Sequence, residues 1–179
     1  MNYISILRGI NVSGQKKVKM DDLKLLYESL GLKNIKTYIQ SGNVIFTSRV
    51  KNIKDLKIKI EKAIQKKYNF HVPVQVRTSD ELSSIINNYP FGVVDIEKEG
   101  TKILVTFLDS RPFPDKVLAI QKFITLPEKL IVKKDVVYLF CPNGYGKSKL
   151  SNNFIESKLE RSATTRNWKS VCKLFELSQ

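Results

Sequence analysis

Ile35-Lys36-Thr37-Tyr38-Ile39-Gln40-Ser41-Gly42-Asn43-Val44-Ile45-Phe46-Thr47 reads as two short strands around a Ser-Gly-Asn bend, a hairpin turn by composition. Immediately before it, Gly31 stops a helix in which Leu23, Leu26, Tyr27 and Leu30 recur at helical spacing. Asp21 and Asp22 open that helix, where negative charge suits the positive end of the backbone dipole. Earlier still, Ile4, Ile6 and Leu7 begin a strand that ends at the Arg8-Gly9 break. On the other side of the hairpin, Ile53, Leu56, Ile60, Ala63 and Ile64 make one apolar helical stripe. Lys54, Lys57, Lys59, Lys62, Lys66 and Lys67 occupy much of that helix's remaining surface. Val72 to Arg77 reads as another strand. The order is strand-helix-strand-strand-helix-strand, the ferredoxin-like plan.

The plan then recurs. After a helical segment from about Ser79 to Asn87, the stretch from Pro90-Phe91-Gly92 to Gly100 is the expected connector. Ile103 to Leu108 is a continuous apolar run suited to a strand buried on both faces. A helix near Pro114 to Phe123, strands Lys129 to Val132 and Val136 to Phe140, and a helix after Lys147 follow. A helix from Thr165 to Leu177, capped by Thr164, closes the chain, with Trp168, Val171, Cys172 and Phe175 at core spacing. The expected fold is therefore α+β: two fused ferredoxin-like βαββαβ-type halves with antiparallel or mixed sheets and an additional C-terminal helix. The halves are expected at 1–78 and 79–179, and they could form one compact unit. No obvious residue-level repeat relates them.

In a strand-helix-strand crossover the two strands run parallel. The exit of the first strand, at Arg8 to Asn11, is thus expected at the same end of the sheet as the Gln40-Ser41-Gly42-Asn43 turn. Arg77, ending a strand of the opposite direction, belongs at the far end.

Three clusters carry a family resemblance: Leu7-Arg8-Gly9-Ile10-Asn11-Val12-Ser13-Gly14, Tyr38-Ile39-Gln40-Ser41-Gly42-Asn43-Val44, and Ala163-Thr164-Thr165-Arg166-Asn167-Trp168-Lys169-Ser170-Val171. Together they closely resemble the DUF1697 family over essentially the whole length. The family is a set of mostly bacterial cytosolic proteins with no established biochemical role. The resemblance therefore informs fold and leaves the reaction open.

Composition narrows the classes. A chain of 179 residues with 42% apolar content can bury a proper core. No basic start precedes a long apolar run, and the longest apolar stretches are strand-length, so neither a secretory signal nor a membrane span is expected. Cys141, Cys172 and His71 make no metal cluster and no disulfide framework. Cytoplasm is the expected compartment, and nothing calls for a cofactor. The formal charge is +14, and residues 1–78 carry 16 basic against 5 acidic side chains, or +11. That gradient suits a phosphate-rich partner such as nucleic acid. Against it, 25 of the 31 basic residues are lysine, which fits ordinary solvated surface and lacks arginine's bidentate fork.

Arg8, Asn11, Ser41, Gly42 and Asn43 would place a cation, two amides and a hydroxyl around glycine-softened backbone, a group able to hold a phosphate or carboxylate. The competing reading makes the glycines positive-φ positions, Asn11 a turn cap and Arg8 the partner of a carboxylate. Cys141-Pro142-Asn143-Gly144-Tyr145-Gly146-Lys147-Ser148 comes close to a Walker A loop, yet cysteine stands where the motif needs its first glycine, and Pro142 removes an amide donor. Lys147, Lys149 and the following helix start remain candidates for an anion, with Arg166 a further cation. His71 is alone. Cys141 is a weak redox candidate, while Cys172 falls on the apolar stripe. The leading expectation is a non-catalytic protein binding a phosphate-bearing ligand. The alternatives are an enzyme acting on a small anionic metabolite or nucleotide, and a structural or interaction protein.

Overall fold

Two four-stranded antiparallel sheets organise the chain in the computed structural model, which describes residues 1–12 and 14–179. Ser13, part of the first cluster quoted above, lies outside the described residues. The chain divides into a first unit, Met1–Ser83 with Leu174–Gln179, and a second, Ser84–Lys173.

In the first unit the elements run β1 (Asn2–Leu7), α1 (Met20–Ser29), β2 (Lys33–Tyr38), β3 (Asn43–Thr47), α2 (Ile53–Tyr68) and β4 (Val74–Thr78). The strand order is β2-β3-β1-β4. Alternation along the strands puts Tyr3, Leu7, Val44, Phe46, Val74 and Val76 on one face, against Leu23 and Tyr27 of α1 and Leu56, Ile60 and Ile64 of α2. Ser5 is a polar residue in that face, and its Oγ lies 2.8 Å from the Tyr27 hydroxyl, so neither is orphaned. The three buried aliphatics of α2 stabilise by roughly 1.5–3 kcal/mol each. That outweighs the few tenths of a kcal/mol that each like-charge lysine pair on the same helix costs. Asn52 caps α2, its side chain accepting from Lys54 N at 3.0 Å, and Asn69 ends it in the left-handed region at φ 59°. At the end of β4, Thr78 and Glu81 exchange reciprocal bonds: Thr78 N donates to Glu81 Oε2 at 2.7 Å and Glu81 N to Thr78 Oγ1 at 3.1 Å. This capping box starts α3 (Ser79–Asn87).

The second unit contains α4 (Ile96–Glu99), β5 (Ile103–Leu108), α5 (Pro114–Ile120), β6 (Lys129–Lys133), β7 (Val136–Phe140), α6 (Asn152–Leu159) and β8 (Ala163–Asn167); α7 (Trp168–Leu177) follows, its residues from Leu174 on belonging to the first unit. Its strand order, β6-β7-β5-β8, repeats that of the first unit, and β5 is buried along its whole length. Trp168 is 4% exposed and its ring lies 4.6 Å from that of Tyr89, which makes it a core anchor. The fold is α+β, two βαββαβ halves with antiparallel sheets and a C-terminal helix.

Two local expectations are corrected. Residues 163–167 form β8 instead of a cap and helix start, because Thr164 and Thr165 pair with Phe107 and Thr106 of β5 and fill the open edge beside that strand. The cap of α7 is Asn167, whose Oδ1 accepts from Ser170 N at 2.8 Å. Likewise, the helix expected after Lys147 starts only at Asn152, capped by Ser151 Oγ on Phe154 N at 3.3 Å.

Candidate functional site

The two glycine-bearing bends of the first unit meet. β1 and β2 are both antiparallel to β3, so both exit at one end of the sheet. Leu7 N donates to Gly42 O at 2.8 Å, joining the bends through the main chain. Gly42 has φ +76°, and a Cβ there would sit 2.5 Å from Ile10 Cδ1 and 2.9 Å from Leu7 Cβ. Both the backbone conformation and the space therefore require glycine.

The polar side chains of this rim are turned inward on the protein. Asn11 donates through Nδ2 to Val18 O and Gln40 O, each at 2.8 Å, and accepts from Val18 N at 2.8 Å. Asn43 is fully buried and donates to Tyr38 O at 3.1 Å and to Ser41 Oγ at 3.0 Å. Arg8 is half-buried and also engaged within the protein, and its N donates to Pro73 O at 3.0 Å. Arg77 pairs with Ile4, toward the opposite end of β1. The asparagines thus clasp the bends and order the segment that carries Lys17 and Lys19, both exposed.

On α2 the arrangement is different. Leu56, Ile60 and Ile64 form the buried row, and Lys54, Ile58, Lys62 and Lys66 form an exposed row two residues out of phase, roughly opposite it. Lys59 and Lys67 donate to main-chain oxygens of Leu30 and Asp22, at 2.8 Å and 2.9 Å. Lys54, Lys62 and Lys66 have no side-chain hydrogen-bond or ion-pair partner among the described residues.

In the second unit the loop resembling a Walker A motif does not cradle an anion with its amides. Gly144 N donates to Cys141 O at 2.9 Å, Lys147 N to Gly144 O at 3.1 Å and Ser148 N to Tyr145 O at 3.1 Å, so these donors close turns of the loop itself. Lys147 and Lys149 instead line an open cavity of about 630 Å³ together with Thr125, Leu126, Pro127, Glu128, Pro142 and Asn143. Nothing in the sequence pairs 125–128 with 142–149; the β6–β7 hairpin brings them together. Arg166 belongs to β8, where Nη1 donates to Thr165 O at 2.9 Å, and burial pushes its guanidinium down to about 10. The expected residues therefore divide: Arg8, Asn11, Ser41, Gly42 and Asn43 in one unit, Lys147, Lys149 and Arg166 in the other.

His71 is exposed, and burial pushes up the thiols of Cys141 and Cys172, away from the thiolate form. Among the described residues no group of three or more His, Cys, Asp and Glu could hold a metal ion. No helix there is long and apolar enough to cross a membrane.

Comparison with known proteins agrees with this architecture. The family described as "Protein of unknown function (DUF1697)" matches residues 1–138. No curated protein sequence matches the chain. The structure of conserved bacterial protein SP0830 from Streptococcus pneumoniae is similar with a TM-score of 0.76 at 24% identity, over 99% of this chain and 98% of that one. At that identity the likeness concerns the fold alone.

Proposed function

The chain belongs to the DUF1697 family, and from that premise we propose that it is a non-catalytic protein binding a phosphate-bearing polyanion, with nucleic acid the class its surface suits. The observation that carries this reading is the lysine row Lys54, Lys62 and Lys66 on α2, exposed and without an acidic partner among the described residues. Twelve residues separate its ends, about 18 Å of helix, so the row can follow a repeating charge. Lys62 and Lys66 repel each other across one turn, which an ordinary solvated helix avoids by alternating signs. Lys66 also complements the helix C-terminus, a structural benefit that does not extend to Lys54 or Lys62. In this reading the rim of Arg8, Asn11, Ser41, Gly42 and Asn43 adds positive charge through Arg8 and fixes the loop bearing Lys17 and Lys19.

The test is a salt titration of binding to a random-sequence oligonucleotide, followed by fluorescence anisotropy. Three phosphate contacts give a linear fall of log affinity against log salt with a slope of about −2 to −3. Replacing Lys54, Lys62 and Lys66 together by glutamate should remove that slope. No binding at low salt, or binding indifferent to the triple change, would end the proposal. The rival reading, an enzyme for a small anionic metabolite, draws its support from the cavity beside Lys147 and Lys149.

A further inference from the structure

We infer that the cavity of the second unit is a separate binding site for a small organic phosphomonoester, with Lys147 and Lys149 taking the phosphate. Five polar side chains line it (Thr125, Glu128, Asn143, Lys147 and Lys149), and none has a hydrogen-bond or ion-pair partner among the described residues. A cavity of comparable size in the first unit shows what a satisfied surface looks like. There Asn2 donates to Ser178 O at 2.7 Å, Asn34 to Thr47 Oγ1 at 3.2 Å, and Lys36 reaches Leu177 O at 3.4 Å, so most of its polar lining is already spent. The second-unit cavity keeps its donors for a guest.

Both of its walls are held in place before a ligand arrives. Glu128 N donates to Thr125 O at 2.9 Å, closing one turn. The 3-10 turn Tyr145–Lys147 holds the other, and Tyr145 packs against the core cluster of the second unit, which includes Leu150 and Cys141. Ser148 Oγ accepts from Leu150 N at 3.0 Å and fixes the stretch between the two lysines. A preorganised site loses less conformational freedom on binding.

The lining also selects the guest. Two ammonium groups against one carboxylate favour an anion, and lysine binds phosphate as a point charge without needing a fork. Glu128 repels an anion placed against it, so the phosphate belongs at the lysine side and the carboxylate accepts from a hydroxyl of the ligand body. Pro127 and Pro142, with the side chain of Leu126, which is 88% exposed, offer apolar surface to the rest of that body. About 630 Å³ is within the range of small-molecule sites. These features describe a phosphomonoester on a hydroxylated, partly apolar body, such as a nucleoside monophosphate.

The inference is independent of the polyanion reading, because its residues lie in the other unit. Isothermal titration of the full chain with adenosine monophosphate, and separately with inorganic phosphate, tests it. Saturable binding of the nucleotide, tighter than that of phosphate, is expected. The Lys147→Gln, Lys149→Gln double variant should lose at least about tenfold in affinity, with an unchanged thermal midpoint showing that the fold is intact. Glu128→Gln should narrow the gap between nucleotide and phosphate. The triple α2 variant should bind the nucleotide as the natural chain does, so that failure here and failure of the polyanion reading are told apart. No saturable binding up to about 10 mM, equal affinity in the double variant, or a nucleotide no tighter than phosphate would each overturn it.

Discussion

Asn11 reaches across from the loop after β1 to the turn after β2, its Nδ2 2.8 Å from Gln40 O, while the same carboxamide exchanges two bonds of 2.8 Å with Val18. One side chain thereby closes its own loop onto Val18, seven residues on, and ties that loop to a turn 29 residues away. Its backbone sits at φ 55°, where asparagine is among the better-tolerated residues. The two bends are thereby held together as a joint.

Asn11→Ala should accordingly cost about 2–3 kcal/mol, the sum of two or three neutral hydrogen bonds near 1 kcal/mol each. Urea unfolding followed by circular dichroism measures it. A loss below about 0.5 kcal/mol would mean that water replaces these bonds freely and that the clasp is not structural.

Gly42→Ala combines two penalties. The left-handed φ of +76° costs an L-residue about 1–2 kcal/mol, and the new methyl would meet Ile10 Cδ1 and Leu7 Cβ inside contact distance, adding about 1–3 kcal/mol. Gly14, at φ +74°, has no atom within 4 Å of the same position. Gly14→Ala should therefore show the backbone penalty alone. Equal losses for the two variants would contradict the close approach.

Lys62→Glu separates stability from binding on α2. The change removes the repulsion with Lys66 and creates a favourable Glu-to-Lys pair at i,i+4, so the midpoint of thermal unfolding should rise by the equivalent of about 0.4–1 kcal/mol. Affinity for an oligonucleotide should fall at the same time. A variant both less stable and unchanged in binding would show that Lys62 serves the fold.

How far the sequence could be read is clearest at Arg77 and Arg166. Arg77 pairs with Ile4, third residue of β1, and Arg166 with Val105, third residue of β5. Each guanidinium donates Nη1 to the carbonyl of the residue before it, at 3.1 Å and 2.9 Å, and each precedes a polar cap, Thr78 or Asn167, that starts a helix. The repeated architecture was legible from hydrophobic periodicity, but this residue-level echo was not, because β8 is five residues of Ala-Thr-Thr-Arg-Asn with little alternation. The apolar spacing of Trp168, Val171 and Cys172 then drew the helix boundary backwards over it. Convergence of the two bends followed from strand direction alone. That Asn11 and Asn43 would spend their amides on main-chain carbonyls did not, since composition cannot tell a donor facing solvent from one facing its own backbone. The cavity beside Lys147 and Lys149 was half visible: the lysines stood out, whereas Thr125 and Glu128 reach them only through the hairpin.

Alkaline pH should unfold the protein through its buried tyrosines. Burial pushes Tyr138 up to about 12, and raises fully buried Tyr27 further, against the bond it shares with Ser5. Burial, with Glu99 adding to it, pushes half-buried Tyr89 up to about 12. In the unfolded chain all three ionise near pH 10. Between that value and the raised one, the unfolded chain sheds protons that the folded protein keeps, so stability present below pH 10 is lost as the pH rises toward 12. Each fully buried tyrosine steepens the fall by up to about 1.4 kcal/mol per pH unit. Urea midpoints should be level from neutral pH to about 9 and then drop. Tyr138→Phe loses the 2.9 Å bond to Ile85 O and starts lower, yet it should decline less steeply. A Tyr138→Phe slope as steep as that of the natural chain would show that this hydroxyl does not resist ionisation in the fold.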